Sequence, residues 1–490
     1  MALALIVVAA LIDSEALAWL LFPGILLLLI YAAWRAPLRD SLTMLALCAF
    51  TLDYPGETMA NGLYKSPLYY VGYVMLAHLN NLTGIKALSF SGTDIILVIL
   101  ICVARIRESS GSTLDRAGRI QTPKPMVQLA KLSLGGAGFV WAVGVVTGGD
   151  FGKSLWQVEK VVYLPVLFLL WHLALRGPQD NAQLAKALVV GAMVKAVWAI
   201  YIVQTVIPPV DPSTGLAQLA YATGHSDSLL FACALVMLLL LLLEGVGGRP
   251  LRRRILIILP ILIWGMVANN RRLVWVHVGM ILLTLYVVSP DNAIKIRIRR
   301  SVYPLMAGFA VYLMVGWDNR YSRIFKPVRI IRSVVEPSSD GSTMWRELEN
   351  YNLVHTIEQS PIFGQGYGHR WIEVIKMPVV AYDLEYYLPH NSLLGLLSCA
   401  GIIGYTLITL LWGGGVYFAM RAFHAASTAN ERVPAILGVG AVVMYQVQAF
   451  GDLGLGCWMG VHIMAPLLVM AGKLAVANGA WVNGPEPVRT

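Results

Sequence analysis

The sequence predicts an all-α fold: a polytopic transmembrane bundle of about 12 to 14 spans with one large extramembrane loop. Three observations carry that prediction. The 490 residues are 57% hydrophobic and only 13% charged, with a mean hydropathy of +0.67, whereas soluble domains carry about 25% charged residues. Apolar runs of 17 to 25 residues recur along the chain, long enough to cross about 30 Å of hydrocarbon. The alternating segments of about ten residues that mark a membrane barrel are absent. Within lipid each backbone group must then be satisfied inside its own helix.

The strongest spans are predicted at 15–34, 92–107, 127–147, 154–175, 183–207, 227–246, 253–269, 272–289, 301–317, 391–420, 433–450 and 455–476. Segments 1–12 and 41–52 are shorter candidates, and 63–82 reads as re-entrant or interfacial. Met1 to Leu11 has the apolar middle of a signal peptide but no basic residue before it, and is expected to be a first membrane segment. The chain divides into N-terminal helices over 1–126, central helices over 127–317, a loop domain over 318–390, and C-terminal helices with a tail over 391–490.

Net charge is +10, but the basic residues cluster at loop ends, as in Arg249, Arg252, Arg253 and Arg254 or Lys295, Arg297, Arg299 and Arg300. That is the footprint of membrane topology and anionic headgroups, and it argues against nucleic acid as a partner. Five basic residues fall in 105–126, Arg176 in the next alternate loop, and Arg421 and Arg432 in 421–432. The intervening loops hold Lys153 in 148–154 and none in 208–226 or 451–454, which places the basic set and the C-terminus in the cytoplasm. All five cysteines lie in apolar stretches without metal-ligand spacing and read as small core residues.

Two features break this pattern. Asn269-Asn270-Arg271-Arg272 is a tight turn on the non-cytoplasmic side with two adjacent arginines. The loop 318–390, about 73 residues, is the only extramembrane segment large enough to fold, and it is too rich in aromatic and aliphatic residues to be disordered. It contains a basic amphipathic stretch over 321–332, a helix-like run from Met344 to Gln359 and a glycine-rich turn.

Chemistry is expected from a short set of residues. Arg271 and Arg272 fit an anion clamp, since guanidinium forks bind phosphate oxygens bidentately; snorkelling to outer headgroups is the plainer account. Lys195 lies near mid-span, where a charge costs at least about 2.5–3.5 kcal/mol, and Glu159 and Lys160 lie just inside the preceding span. Either Glu159 pairs with Lys195 or Lys160 snorkels, or these groups line a polar cavity opening outward. His390, in Tyr386-Tyr387-Leu388-Pro389-His390-Asn391-Ser392, could deprotonate a hydroxyl; alternatively Asn391 caps a helix and His390 is a wet interface residue. Pro361 to Gly368 places glycines at 364, 366 and 368, a turn whose backbone approaches something closely; with no framing strand it is not a dinucleotide fingerprint. Asp383-Leu384-Glu385 reads as solvated surface.

Taken together, Trp345-Arg346, Gln359 to Gly368, Pro389-His390-Asn391-Ser392 and Gly401-Ile402-Ile403-Gly404 resemble the signature of the O-antigen ligase and polymerase superfamily. In that family a periplasmic loop carries a P-x-x-G-x-G-x-G turn, then a His-Asn pair opening a helix with G-x-x-G. The turn from Asn269 to Leu273 also resembles the family's arginine-bearing turn. The resemblance spans roughly 220–450; the first 200 residues match only in being hydrophobic.

The resemblance implies a metal-independent inner-membrane glycosyltransferase without a cofactor, working on the periplasmic face. Its partners would be an undecaprenyl-pyrophosphate-linked glycan donor, a glycan or lipid-core acceptor and membrane lipids, with a flippase and a chain-length regulator as candidate protein partners. Arg271 or Arg272 would hold the pyrophosphate and His390 would activate or position the acceptor. Gly364, Gly366 and Gly368 would shape the loop, with Arg346 and Asn391 alongside. One departure stands out: the family's further arginine before the helix near Asp227 is missing, since 208–226 holds neither Arg nor Lys. His225 is the nearest substitute, or Lys160 and Lys195 from below. Polymerase and ligase differ only in acceptor, and the missing arginine tilts the expectation towards a polymerase or a ligase-like exopolysaccharide enzyme. The competing class is a transporter or flippase of lipid-linked glycans, which predicts two similar halves; no internal repeat is seen.

Overall fold

The computed structural model describes residues 15–53, 64–79, 90–207, 221–291, 293–319, 341–377 and 386–483, with Phe325, Val328 and Arg332 as single positions. Those residues form fifteen α-helices and no strand. Segment 1–12, most of the basic stretch 321–332 and Asp383-Leu384-Glu385 lie outside them. Among the described residues six helices are long and apolar enough to cross a membrane: α5 (Lys124–Val146), α6 (Phe151–Ala174), α7 (Asn181–Thr205, entered through a 3-10 turn at Pro178–Asp180), α13 (Ser392–Ala425), α14 (Ala429–Gly451) and α15 (Trp458–Ala477). Around them stand α1 (Glu15–Arg35), α2 (Leu38–Thr51), α4 (Gly92–Ser109), α8 (Asp227–Leu243), α9 (Gly248–Asn269), α10 (Arg272–Val288) and α11 (Ala293–Gly316). The candidate segment 41–52 is thus part of α2, and the described part of 63–82, residues 64–79, contains the short α3 (Tyr69–Leu76).

The core is α8 and α15. Asp227 to Leu238 is buried without a break, because an all-apolar helix has no face to offer water and is stable only when surrounded. α8 is enclosed by α7, α9, α10, α14 and α15, while α13 packs on α5, α14 and α15. The outward surface is apolar: Leu283 and Val287 of α10, and Tyr303, Leu305 and Met314 of α11, are more than half exposed, as lipid-facing side chains are. Cys102 is also on this outward surface, unlike the buried Cys233 and Cys457.

The two ends of the bundle differ chemically. One end carries the basic connections: Arg107 binds Asp115 at 2.9 Å and the carbonyls of Trp34 and Ala36, Arg39 binds Asp180 at 2.7 Å, and Arg432 binds Glu244 at 2.7 Å. The other end gathers 147–150, 221–226, 270–271, 452–457 and the large loop. There the amide of Asp150 donates to the Gly368 carbonyl (2.9 Å) and that of Leu453 to the His390 carbonyl (2.8 Å).

The described part of the large loop, 341–377 and 386–390, packs against the bundle. α12 (Gly341–Gln359) packs on α13. Leu353, Trp371 and Met377 form a small core with Trp345, Leu348, Tyr386 and Leu394. Asn352 on α12 accepts the amides of Val374 (3.0 Å) and Ile375 (2.9 Å) and donates to the Ile375 carbonyl (2.9 Å), so one side chain stands in for a strand partner.

Candidate active site

Each arm of the site is positioned by a local backbone device. Asn269 ends α9, and Asn270 takes φ +57°, a left-handed cap that asparagine tolerates better than most residues. The chain therefore reverses in two residues and presents Arg271 inward, while Arg272, the first residue of α10, is exposed. The Arg271 guanidinium lies over the Tyr221 ring at 3.6 Å, and donates to His225 and to the Thr223 carbonyl (3.4 Å). His225 in turn pairs through Nδ1 with Asp452. Asp452 follows the end of α14 and is nearly buried.

Arg346 and Glu349 are three residues apart on α12 and so share a face. Arg346 reaches Asp452 at 3.9 Å. Glu349, fully buried, accepts the main-chain amide of His390 at 3.0 Å and faces its Nδ1 at 3.3 Å. Six residues from four segments thus meet at one end of the bundle: Arg271, His225, Asp452, Arg346, Glu349 and His390. Burial would raise the Asp452 pKa, yet His225, with Arg346 and His390 behind it, holds that carboxyl below the usual carboxylate range. An ionised, buried carboxylate between two basic groups fixes where they point.

Of the residues singled out from sequence, the structure brings together Arg271, His225, Arg346 and His390. Asn391 lies beside them but is buried, and its Oδ1 caps α13 by accepting the Leu394 amide at 3.2 Å, the plainer of its two readings. Arg272 is exposed at the start of α10.

The glycine turn approaches the bundle itself. Gly364, Gly366 and Gly368 all take φ between +73° and +90°. A Cβ on Gly366 would sit 2.2 Å from the backbone of Gly144, and one on Gly364 2.2 Å from the Cys399 carbonyl. The partner motif explains the fit. Gly401 is non-helical inside α13 (φ +56°, ψ −175°), which breaks the helix ladder locally. The Cys399 carbonyl then accepts the Gly366 amide (2.8 Å), and the Ile402 amide donates to the Pro361 carbonyl (2.9 Å). Gly364 and Gly366 thus bolt the loop to α13 and α5, and Gly368 bolts it to the connection at Gly149 and Asp150.

Lys160 and Lys195 lie deeper, and their partners differ from the expected ones. Glu159 does not pair with Lys195. It binds Lys160 at 3.3 Å and His78 at 2.7 Å, and Lys160 also faces the rings of Trp156 and Trp458. Lys195 binds the Leu52 carbonyl (3.0 Å), Asp53 (3.3 Å) and Asp227 (3.6 Å) beside a cavity of about 420 Å³ counted to its mouth. The reason is helix phase: Lys195 faces α2 and the start of α8, whereas Glu159 on α6 faces the strand-like contact at His78.

Three residues were missed from sequence. Glu349 reads as one acid of a mixed helix, Asp452 as an ordinary loop residue, and Gln157 as a span-end amide. Gln157 in fact donates to the Tyr387 carbonyl and accepts the Gly368 amide, both at 2.6 Å, so it ties two points of the loop to α6. The one available signal is the setting of Asp452, an acid between glycine and leucine in a connection with no basic residue.

Residues 255–409, about a third of the 490-residue chain, match the family model described as O-antigen ligase. The matched stretch contains Arg271, Arg346, Glu349 and His390 together with the glycine turn and Gly401. No curated protein matches the chain.

Proposed function

We propose that this chain, whose residues 255–409 match the family model described as O-antigen ligase, is a membrane glycosyltransferase that moves a glycan from undecaprenyl pyrophosphate to an acceptor hydroxyl. The observation that carries the reading is the placement of Arg271 and Arg346 around Asp452, beside a histidine held by a buried glutamate.

In the proposed reaction the acceptor oxygen bonds to the anomeric carbon as the bond from that carbon to the pyrophosphate oxygen breaks. The bonding pair leaves with the lipid pyrophosphate, and the hydroxyl proton passes to His390. With Nδ1 facing Glu349, Nε2 is the nitrogen that takes the proton, and the glutamate charge stabilises the imidazolium that forms. A positioned base of this kind contributes about 10²- to 10⁴-fold. Charge grows on the leaving group, and preorganised guanidinium groups answer it without a metal.

The distribution of charge supports a face opposite the cytoplasm. Arg39, Arg107, Arg119 and Arg432 belong to the far end of the bundle, and short loops rich in Lys and Arg stay cytoplasmic. The site would then open to the periplasm of a bacterial inner membrane. The acceptor, another repeat unit or a lipid core, decides between polymerase and ligase.

The test is transfer by purified protein from an undecaprenyl-pyrophosphate-linked glycan in the presence of EDTA, with Arg271→Ala and His390→Ala as variants. Product from the wild type and much slower transfer by both variants is the expected result; product length separates polymerase from ligase. No product from several donors, with movement of the lipid-linked glycan across liposomes, would replace the reading with a transporter.

A further inference from the structure

The buried Lys195 lies deeper than the arginine-histidine cluster, yet a chain of contacts connects the two. Lys195 Nζ lies 3.6 Å from Asp227 Oδ1, in the first turn of α8. The other oxygen of Asp227 accepts the amide of Gly224 at 3.0 Å. Gly224 is the residue before His225, and Thr223 is anchored on its other side by a 2.8 Å hydrogen bond to Asn269, next to the turn that carries Arg271. The same lysine bonds the Leu52 carbonyl and Asp53, where α2 ends. One ammonium therefore joins α7, the end of α2 and the start of α8, and through Asp227 fixes the backbone from which His225 reaches Arg271 and Asp452.

The energetics point the same way. A lysine at mid-span is costly to insert, and a buried ion pair is often no more stabilising than apolar side chains of the same volume. What such a pair does determine is geometry. A 221–226 segment without arginine or lysine needs His225 held in place if that histidine is to orient Arg271.

We infer that Lys195 is a positioning residue: through Asp227 and the Gly224 amide it sets His225, and thereby the orientation of the Arg271 guanidinium towards an anionic donor. The inference rests on the transferase reading. Lys195 itself touches no substrate and transfers no proton.

A double-mutant cycle tests it, using full-length protein in detergent or nanodiscs and the undecaprenyl-pyrophosphate-linked glycan as donor. Lys195→Met is expected to raise the donor KM about tenfold with kcat within about threefold, and Lys195→Arg to restore most of the loss. His225→Ala is expected to raise the donor KM similarly, and adding Lys195→Met to it to produce no further change, because the two act on one element. Independent effects that multiply in the double variant would overturn the inference, as would wild-type kinetics in Lys195→Met. Should Lys195→Met fail to fold, Asp227→Asn in both backgrounds carries the same cycle with a smaller change of charge and shape. Wild-type protein that transfers nothing would instead overturn the transferase reading, which keeps the two failures apart.

Discussion

Glu349 holds His390 at two points, the main-chain amide and the ring Nδ1, across 41 residues of sequence. The first contact fixes where the histidine stands and the second fixes which ring nitrogen is left to take a proton. A lone interfacial histidine would have neither constraint. His390→Ala is expected to lower kcat by about 10²- to 10⁴-fold with little change in donor KM, the loss of a positioned base. Glu349→Gln keeps an acceptor for the amide but removes the charge that stabilises imidazolium, so a smaller fall in kcat is expected. Equal KM and unequal kcat in the two variants, measured by initial rates, is the result that checks the pair.

The two adjacent arginines are expected to separate in function. Arg271 is stacked on Tyr221 and bonded to His225, while Arg272 is exposed at the start of α10. Charge-assisted hydrogen bonds contribute about 1.5–3 kcal/mol, so Arg271→Ala should lower kcat/KM by roughly 10- to 150-fold. Arg271→Lys should recover only part, because an ammonium lacks the planar fork and the stacking face. Arg272→Ala is expected to stay within about threefold. Steady-state kinetics with varied donor distinguish these outcomes, and equal losses at both positions would contradict the assignment.

Asp452 supplies a pH signature. Its folded-state pKa is depressed below the ordinary value near 3.9 by His225 and Arg346, against the opposing effect of burial. A depressed carboxyl contributes stability that is fully present above its unfolded pKa and is lost as pH falls through the folded one. Asp452→Asn should therefore melt at a lower temperature than wild type near neutral pH. The difference between the two should shrink below about pH 4, where the wild-type carboxyl also gains its proton. Thermal unfolding of both proteins in detergent between pH 3 and pH 8 measures that difference directly.

The helices were legible because lipid enforces one simple rule: every long apolar run must satisfy its own backbone. Arg271, His225, Arg346 and His390 were legible as residue types standing in unusual places. Asp452 and Glu349 were not, because their meaning comes only from partners 227 and 41 residues distant in sequence, and a single chain carries no record of such pairings. Lys195 shows the same limit from the other side. Its burial was evident, but choosing Asp53 and Asp227 over Glu159 as partners required the helix phases that packing sets. The glycines at 364, 366 and 368 announced a close approach without saying to what; Gly144, Asp150 and the break at Gly401 supply the answer.

That answer yields a last prediction. Gly366 combines φ +82° with a Cβ position 2.2 Å from the backbone of Gly144, which cannot rotate away as a side chain could. Gly111 has a similar φ, +72°, with nothing within 4 Å. Both substitutions to alanine incur the strain of a left-handed non-glycine residue, about 1–3 kcal/mol. Only Gly366→Ala must also push the loop off α5. Because His390 and Glu349 both depend on that loop, Gly366→Ala should lower kcat by at least about tenfold, on the scale of losing a positioned base, and open 360–390 to limited proteolysis. Gly111→Ala should leave rate and cleavage pattern unchanged. Protease resistance retained in Gly366→Ala would mean that the turn is not what clamps the loop to the bundle.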